Sequence, residues 1–347
     1  MRLLILGGSP AHMGGVETFC DRASAALKRH DPHISITRLA TGTAYLSLRR
    51  LPLVLRGLAS LVCHRARGPA TVWLQYVNLP DLGYLLAARA LGFKVIVTPH
   101  LGKDWRSERI SALRRLSRLL LRAAHRIALL ADTQQDEIAL PYNVPRSTIR
   151  TFLPAETLVP SPKSGRRTGP LRILHASRLS EAKGSFLVID VCAHLRDAGV
   201  PFSARIIGSA DAMTHGRLQA AIIDRELQRE VELIGWTPPA ELIDRMREAD
   251  VLVHLSRVDS YPLIVLEALA SGVIPVAMDL AGVRSMIENY HGAIVGTATP
   301  AEDAAAYLIQ ATPAALRRRG KREANRVRTD FAWNEAAALL ADTLRAA

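Results

Sequence analysis

The segment DSYPLIVLEALASGVIPVA, residues 259–277, sets two carboxylates, Asp259 and Glu267, on either side of a helix start. Pro262 suits the first turn of a helix, where its missing N–H costs nothing. The next backbone N–H groups, those of Leu263 and Ile264, are then free to meet an anion. Glu267 lies one to two turns further on, at ~1.5 Å per residue, inside an otherwise apolar run. A carboxylate there can accept two hydrogen bonds from a vicinal diol such as a ribose. Asp259 precedes the helix, on the opposite side of its N-terminus. One extended ligand with a nucleoside, a diphosphate and a sugar fits this spacing. Its ribose would meet Glu267, its phosphates the helix start, and its sugar Asp259. A surface helix with one charged position fits the same residues.

Two cations stand in SRLSEAKG, residues 177–184, directly after an apolar run. Arg178 offers a planar fork of donors and Lys183 a compact point charge, a combination that suits a diphosphate. Solvated charges flanking a turn are the plainer account. HMGGVETF (12–19) follows another apolar run. Gly14 and Gly15 permit positive φ and close approach of a ligand, and a helix beginning there presents N–H groups to an anion. The spacing is not that of a dinucleotide fingerprint, and a structural turn accounts for it equally well. His100 ends the run KVIVTPH (94–100) and is either a site imidazole or a solvent-facing one.

These residues need strands and helices to hold them. LLILGG (3–8), ATVWLQYV (70–77) and KVIVTPH (94–100) read as strands, with helical stretches at 15–29 and 81–91 between them. ETLVPSPKSGRRTGP (156–170) has no periodicity and reads as a linker. The pattern then restarts. Strands are expected at 171–177, 203–209, 231–236, 250–256 and 273–278, and helices at about 184–198, 214–228, 239–248 and 262–271. Alternation of this kind predicts an α/β chain of two doubly wound, Rossmann-like domains facing across a cleft. The expected domains are 1–158, joined by 330–347 crossing back, and 170–329. Ligands of such sheets bind beyond the carboxyl ends of the strands.

The net charge of +13 is uneven. Residues 1–160 hold 22 Lys and Arg against 10 Asp and Glu, a net +12, and the remainder holds 23 against 22. The first half is therefore expected to meet an anionic surface or ligand. Basic stretches without interleaved aromatics argue against nucleic acid. RSERISALRRLSRLLLRAAHRIALL, from residue 106, reads as one basic amphipathic helix. Ile110, Leu113, Leu116, Leu120, Ala124 and Ile127 recur at helical spacing. That stripe either enters the core or leaves the arginines on a membrane face. The stretch 46–67 adds to it, with Pro52 breaking its first turns. Three scattered cysteines, Cys20, Cys63 and Cys192, fit a reducing cytoplasm. No apolar run reaches the ~18 residues of a membrane span. No metal-ligand cluster or P-loop is present, so a divalent metal is not required by any motif.

Taken together these motifs resemble the GT-B glycosyltransferases, specifically glycosyltransferase family 4. The resembling residues are Gly14-Gly15-Val16-Glu17, Arg178-Leu179, Lys183-Gly184, the Asp259/Glu267 pair and FAWNEAA (331–337). Gly282-Val283-Arg284-Ser285 matches a further turn in part. The resemblance implies a retaining hexosyltransferase with a UDP- or GDP-sugar donor and no cofactor or metal. It implies that Arg178 and Lys183 hold the diphosphate, that Leu263 and Ile264 lie against the donor, and that Glu267 binds the ribose. Gly14 and Gly15 would approach the phosphates. His100 would face the donor sugar, and catalysis would rest on His100, Asp259, Arg178 and Lys183. The acceptor would be a glycan or lipid-linked intermediate of bacterial surface polysaccharide or lipopolysaccharide, used in the cytoplasm or peripherally at the inner membrane face. Two departures stand out: Asp259 replaces a Glu, and Arg284-Ser285 replaces Pro-Glu. They leave open a non-catalytic protein that binds a glycan or lipid. A nicotinamide-dependent oxidoreductase is the third class, disfavoured by the glycine spacing.

Overall fold

A computed structural model of the chain describes residues 1–7, 14–43, 51–103, 105–159, 169–259 and 261–346. They form two compact units, Met1–Phe152 with Phe331–Ala347, and Leu153–Asp330.

In the first unit the elements run β1 (Arg2–Leu6), α1 (Gly15–His30), β2 (Ser35–Leu39), α2 (Leu51–Ala66), β3 (Thr71–Tyr76), α3 (Asp81–Ala90), β4 (Lys94–Pro99), α4 (Arg106–Arg109), α5 (Ser111–Leu120), β5 (Arg126–Leu129), α6 (Gln134–Glu137) and β6 (Arg146–Thr148). The strands form one parallel sheet in the order β2-β1-β3-β4-β5-β6. Its central strands are buried apart from their first residues Arg2 and Lys94, as RLLIL, TVWLQY and KVIVTP predict for a sheet covered on both faces. Strands β2 and β6 escaped the sequence reading because they lie at the edges, where half-burial permits polar residues such as SITRL and RST.

The single basic helix expected from residue 106 to 130 is not formed. A break at Ile110 separates α4 from α5, a 3₁₀ turn covers Leu121–Ala123, and Arg126–Leu129 is strand β5. A short apolar run inside a helical pattern cannot be told from a strand by period alone. The expected core stripe is also turned: Ile110 and Leu116 are each 41% exposed. The buried position of α5 is Ser117, hydrogen-bonded to the Tyr76 hydroxyl at 2.9 Å. Pro52 lies in the first turn of α2 and does not break it; residues 46–50 of that stretch lie outside the described residues, as do Gly8 of the first expected strand and 160–168 of the expected linker.

In the second unit follow α7 (Ala155–Leu158), β7 (Leu171–Ala176), α8 (Ser185–Asp197), β8 (Phe202–Ile207), α9 (Ala212–Asp224), β9 (Val231–Ile234), α10 (Pro239–Glu248), β10 (Val251–His254), α11 (Leu263–Ala270), β11 (Ile274–Met278), α12 (Ala281–Ile287), β12 (Ala293–Val295), α13 (Pro300–Gln310) and α14 (Pro313–Asp330). The sheet is again parallel, in the order β12-β11-β10-β7-β8-β9. The order reverses between β7 and β10, the place where a doubly wound sheet opens a crevice. At the other end of these two strands, buried Asp250 accepts from the Arg172 N–H at 3.0 Å and from Arg317 Nε at 2.5 Å. Gly320 of α14 meets Gly272 so closely that a Cβ would lie 2.0 Å from the Gly272 oxygen. That contact brings α14 onto the end of α11.

The chain closes with α15 (Trp333–Arg345), which returns to the first unit and packs on α1. Trp333 stands edge-on to Phe152 at 6.4 Å and beneath the Arg29 guanidinium at 4.8 Å. These contacts belong to FAWNEAA, so that motif anchors the C-terminal helix.

Candidate functional site

The loops leaving β7 and β10 are locked together in the second unit. Gly184 has φ +75°, and a Cβ on it would stand 2.2 Å from the Leu255 carbonyl oxygen. Gly208, after β8, would place a Cβ 1.7 Å from the Ser177 oxygen. Only glycine fits either contact. Arg257 N–H donates to the Ala182 carbonyl at 2.9 Å, tying the two loops again.

Beneath them lies His175, fully buried at the end of β7. Its Nδ1 donates to the Val253 carbonyl at 3.0 Å, which leaves Nε2 to accept from the hydroxyls of Ser177 (3.1 Å) and Ser185 (3.2 Å). Burial lowers this imidazole to about 4, so it is neutral near pH 7. Ser185 Oγ accepts from the Ser180 N–H at 3.1 Å, and Ser180 Oγ accepts from the Lys183 N–H at 3.2 Å. The turn carrying Lys183 is thus held by a chain of hydrogen bonds rooted in the sheet.

The structure brings Lys183 and Asp259 together. Lys183 Nζ is ion-paired to Asp259 Oδ1, and His254 Nε2 lies 2.9 Å from Oδ2. Burial alone would raise the Asp259 carboxyl. The hydrogen bond and charge of His254, with the charge and hydrogen bond of Lys183, outweigh burial and hold it well below the usual carboxylate range. Asp259 is therefore an ionised group braced by two partners, and it aims the ammonium. Buried His254 Nδ1 has no hydrogen-bond partner among the described residues. Arg178 is exposed and enters no ion pair among them. Its guanidinium is available to an anion.

Helix α11 begins at Leu263 behind Pro262, which provides no side-chain cap. The N–H groups of Leu263 and Ile264 therefore open the helix uncapped, and both side chains are half-buried. Glu267 lies on this helix and is 8% exposed. Arg284 pairs with Asp279 and Glu288 on the surface of α12.

In the first unit His100 follows β4, with its Nε2 2.8 Å from Gln75 Oε1. The amide oxygen can only accept, so Nε2 carries the proton and Nδ1 is an acceptor. Burial lowers this imidazole to about 3, so it too is neutral. Phe19 stands edge-on to it at 5.3 Å. Gly7, with φ +105°, would bring a Cβ within 3.0 Å of Gln75 Cβ. Gly14 and Gly15 do not use positive φ. Gly14 is extended and caps α1, and a Cβ there would meet Glu17 Oε2 at 2.7 Å. Around a Cβ on Gly15 there is open space, so its backbone is accessible.

Two family models match the chain in succession. "Glycosyl transferase 4-like domain" covers residues 11–154, and "Glycosyl transferases group 1" covers 160–325. The chain belongs to the GT-B glycosyltransferases of family 4 type. It is 33% identical over 147 residues to the amylovoran biosynthesis glycosyltransferase AmsK of Erwinia amylovora, a match spanning 41% of this chain and 36% of that protein. It is 24% identical over 278 residues to the GDP-mannose:cellobiosyl-diphosphopolyprenol alpha-mannosyltransferase of Xanthomonas campestris, covering 78% of this chain and 70% of that one. The crystal structure of Anabaena HepE in complex with UDP and glucose superposes with a TM-score of 0.76 at 18% identity, over 100% of each chain.

In this family 4 chain the Arg178–Lys183 and Asp259–Glu267 motifs follow the two strands, β7 and β10, at which the strand order reverses, and they come with supports that sequence reasoning missed. His175, Ser177 and His254 are the main ones. The signal was present: both strands end in His-x-Ser, His175-Ala176-Ser177 and His254-Leu255-Ser256. A histidine in an apolar strand reads as core, and the repeat becomes meaningful only when β7 and β10 are neighbours.

Proposed function

We propose that this protein transfers a hexosyl group from a nucleotide-diphosphate sugar to a glycan or lipid-linked acceptor, with retention of configuration, in bacterial surface-polysaccharide assembly. The observation that carries the reading is the Lys183 ammonium, paired with Asp259 and carried on a turn that the Ser180–Ser185–His175 chain fixes at the switch point. Leaving-group departure puts negative charge on the diphosphate and positive charge on the sugar. Preorganised cations stabilise the first of these as it develops. Lys183 and Arg178 supply full charges, and the uncapped N–H groups of Leu263 and Ile264 add the helix dipole. An arriving diphosphate competes with Asp259 for Lys183 and releases that carboxylate toward the sugar. Glu267 holds the ribose hydroxyls. His100, neutral, offers Nδ1 as an acceptor to a sugar hydroxyl.

The relatives support the acceptor class. AmsK is named for amylovoran biosynthesis, and the Xanthomonas enzyme for a diphosphopolyprenol acceptor. The first unit would receive such an acceptor. Among the described residues no helix is long and apolar enough to cross a membrane. Helices α2 and α5 nevertheless expose Leu51, Leu55, Val62, Leu116 and Leu119 beside arginines. That pairing fits peripheral docking on anionic lipid, where each basic residue contributes about 1 kcal/mol. Vesicles of anionic lipid should co-sediment the protein and neutral ones should not; equal recovery with both would refute the docking.

The test of the activity is donor consumption. Lys183→Ala should lower kcat by about 10²–10³-fold while leaving the fold intact by circular dichroism. Retention of wild-type turnover in that variant would remove Lys183 from the mechanism. Donor binding without turnover across a broad acceptor panel would favour the non-catalytic binder, the reading that Asp in place of Glu at residue 259 and the engaged Arg284 leave open.

A further inference from the structure

A second basic site lies in the first unit, apart from His100 and Gln75. Helix α5 and the segment leading from β5 to β6 line an open cavity of about 800 Å³. Arg114, Arg115, Arg118 and Arg146 line it, with Asp136 and Tyr142. Four guanidinium groups against one carboxylate leave a net +3 on the wall. The neighbouring Glu108, nearly buried, lies 3.4 Å from Arg114 and accepts from the Ala139 N–H at 2.9 Å. It therefore offsets Arg114 and ties α4 to the far wall. Arg115, Arg118 and Arg146 have no carboxylate partner among the described residues. Arg118 lies over the Tyr142 ring at 4.6 Å, and Arg146 donates to the Pro141 carbonyl at 3.3 Å. Both guanidinium groups are thus oriented before any ligand arrives.

Helical geometry explains why this face is free. At about 100° per residue, Ser111, Arg114, Arg115 and Arg118 share one side of α5. Leu113, Ser117 and Leu120 turn inward. Ala112, Leu116 and Leu119 form a third, exposed strip beside Arg115. The charge would be costly in a wall meant only for packing, since like charges repel. An anion with several acceptor oxygens relieves that repulsion and uses the forks that guanidinium groups provide.

We propose that this cavity binds a diphosphate group. The shared chemistry has two sources, free diphosphate or the head of an isoprenyl diphosphate whose chain follows the Leu116–Leu119 strip. Its use as the docking point of a lipid-linked acceptor rests on the transferase reading above. The binding itself does not.

The full-length protein should be titrated calorimetrically with inorganic pyrophosphate and, separately, with geranyl diphosphate, with the Lys183→Ala variant separating binding at the switch point from binding at this cavity. The proposal expects saturable binding that weakens at least tenfold in the double variant Arg115→Gln, Arg118→Gln and partly in Arg115→Lys, which keeps charge but loses the fork. Lys183→Ala should change it less than twofold. Tighter binding of geranyl diphosphate than of pyrophosphate identifies the lipid source, and equal binding the free ion. Absence of binding, indifference to the Arg115 and Arg118 changes, or equal affinity for glucuronate overturns the proposal. A transferase reading that failed would leave this titration unchanged, and a failed titration would leave donor turnover intact. Residue 115 is exposed, so loss of fold in its variants is not expected and is checked by the melting curve.

Discussion

At the scale of the residue, Asp259 has two roles that pH can separate. Its carboxyl is held below its ordinary value despite burial, because His254 and Lys183 favour the charged form. A depressed acid contributes stability in full above its unfolded value of ~3.9, and loses it as pH falls through the folded value. Asp259→Asn should therefore destabilise the protein by about 3 kcal/mol at pH 7, as a half of a largely buried pair is removed. The gap to wild type should narrow below about pH 4. Denaturant melts across pH 7 to 3 read this directly. A gap constant down to pH 3 would mean that Lys183 and His254 do not brace the carboxylate. The ion pair itself was not legible in the sequence. Asp259 and Lys183 are 76 residues apart, and residue type alone points each toward the ligand and not toward the other. What the sequence did carry was their common position, each just beyond the carboxyl end of a strand.

At the scale of the element, the turn between β7 and α8 depends on backbone proximity more than on side chains. Gly184→Ala adds a methyl against the Leu255 carbonyl and forces an L side chain to φ +75°. It should cost about 3 kcal/mol or more and lower the melting temperature of the second unit. Gly216, inside α9 with open space around its Cβ position, is the contrast. Gly216→Ala should stabilise by about 0.5–1 kcal/mol. Calorimetric melts of both variants should move in opposite directions, and a shared sign would refute the packing described. The doubly wound pattern was legible because buried parallel strands are continuous apolar runs. The central strands of both units were found where LLIL, VWLQY, RILHA and VLVH predicted them. The miss at 106–130 has the opposite cause. Arginines on α5 and the short buried β5 together mimic one amphipathic period, and only pairing with β4 reveals the strand.

At the scale of the whole molecule, one fold type occurs twice with different charge. The net +12 of residues 1–160 gathers in part at the α5 cavity, while the second unit is nearly neutral and places its cations at one switch point. In the proposed reading the two units serve different partners, an anionic acceptor at the first and a nucleotide sugar at the second. The donor assignment is the claim on which the remaining chemistry depends, and binding tests it without requiring the acceptor. Calorimetric titration of UDP and of GDP into the full chain should show one saturable site for at least one nucleotide. Its Kd should rise at least tenfold in Lys183→Ala and again in Glu267→Gln. Failure of both nucleotides to bind, or wild-type affinity in both variants, would contradict the account.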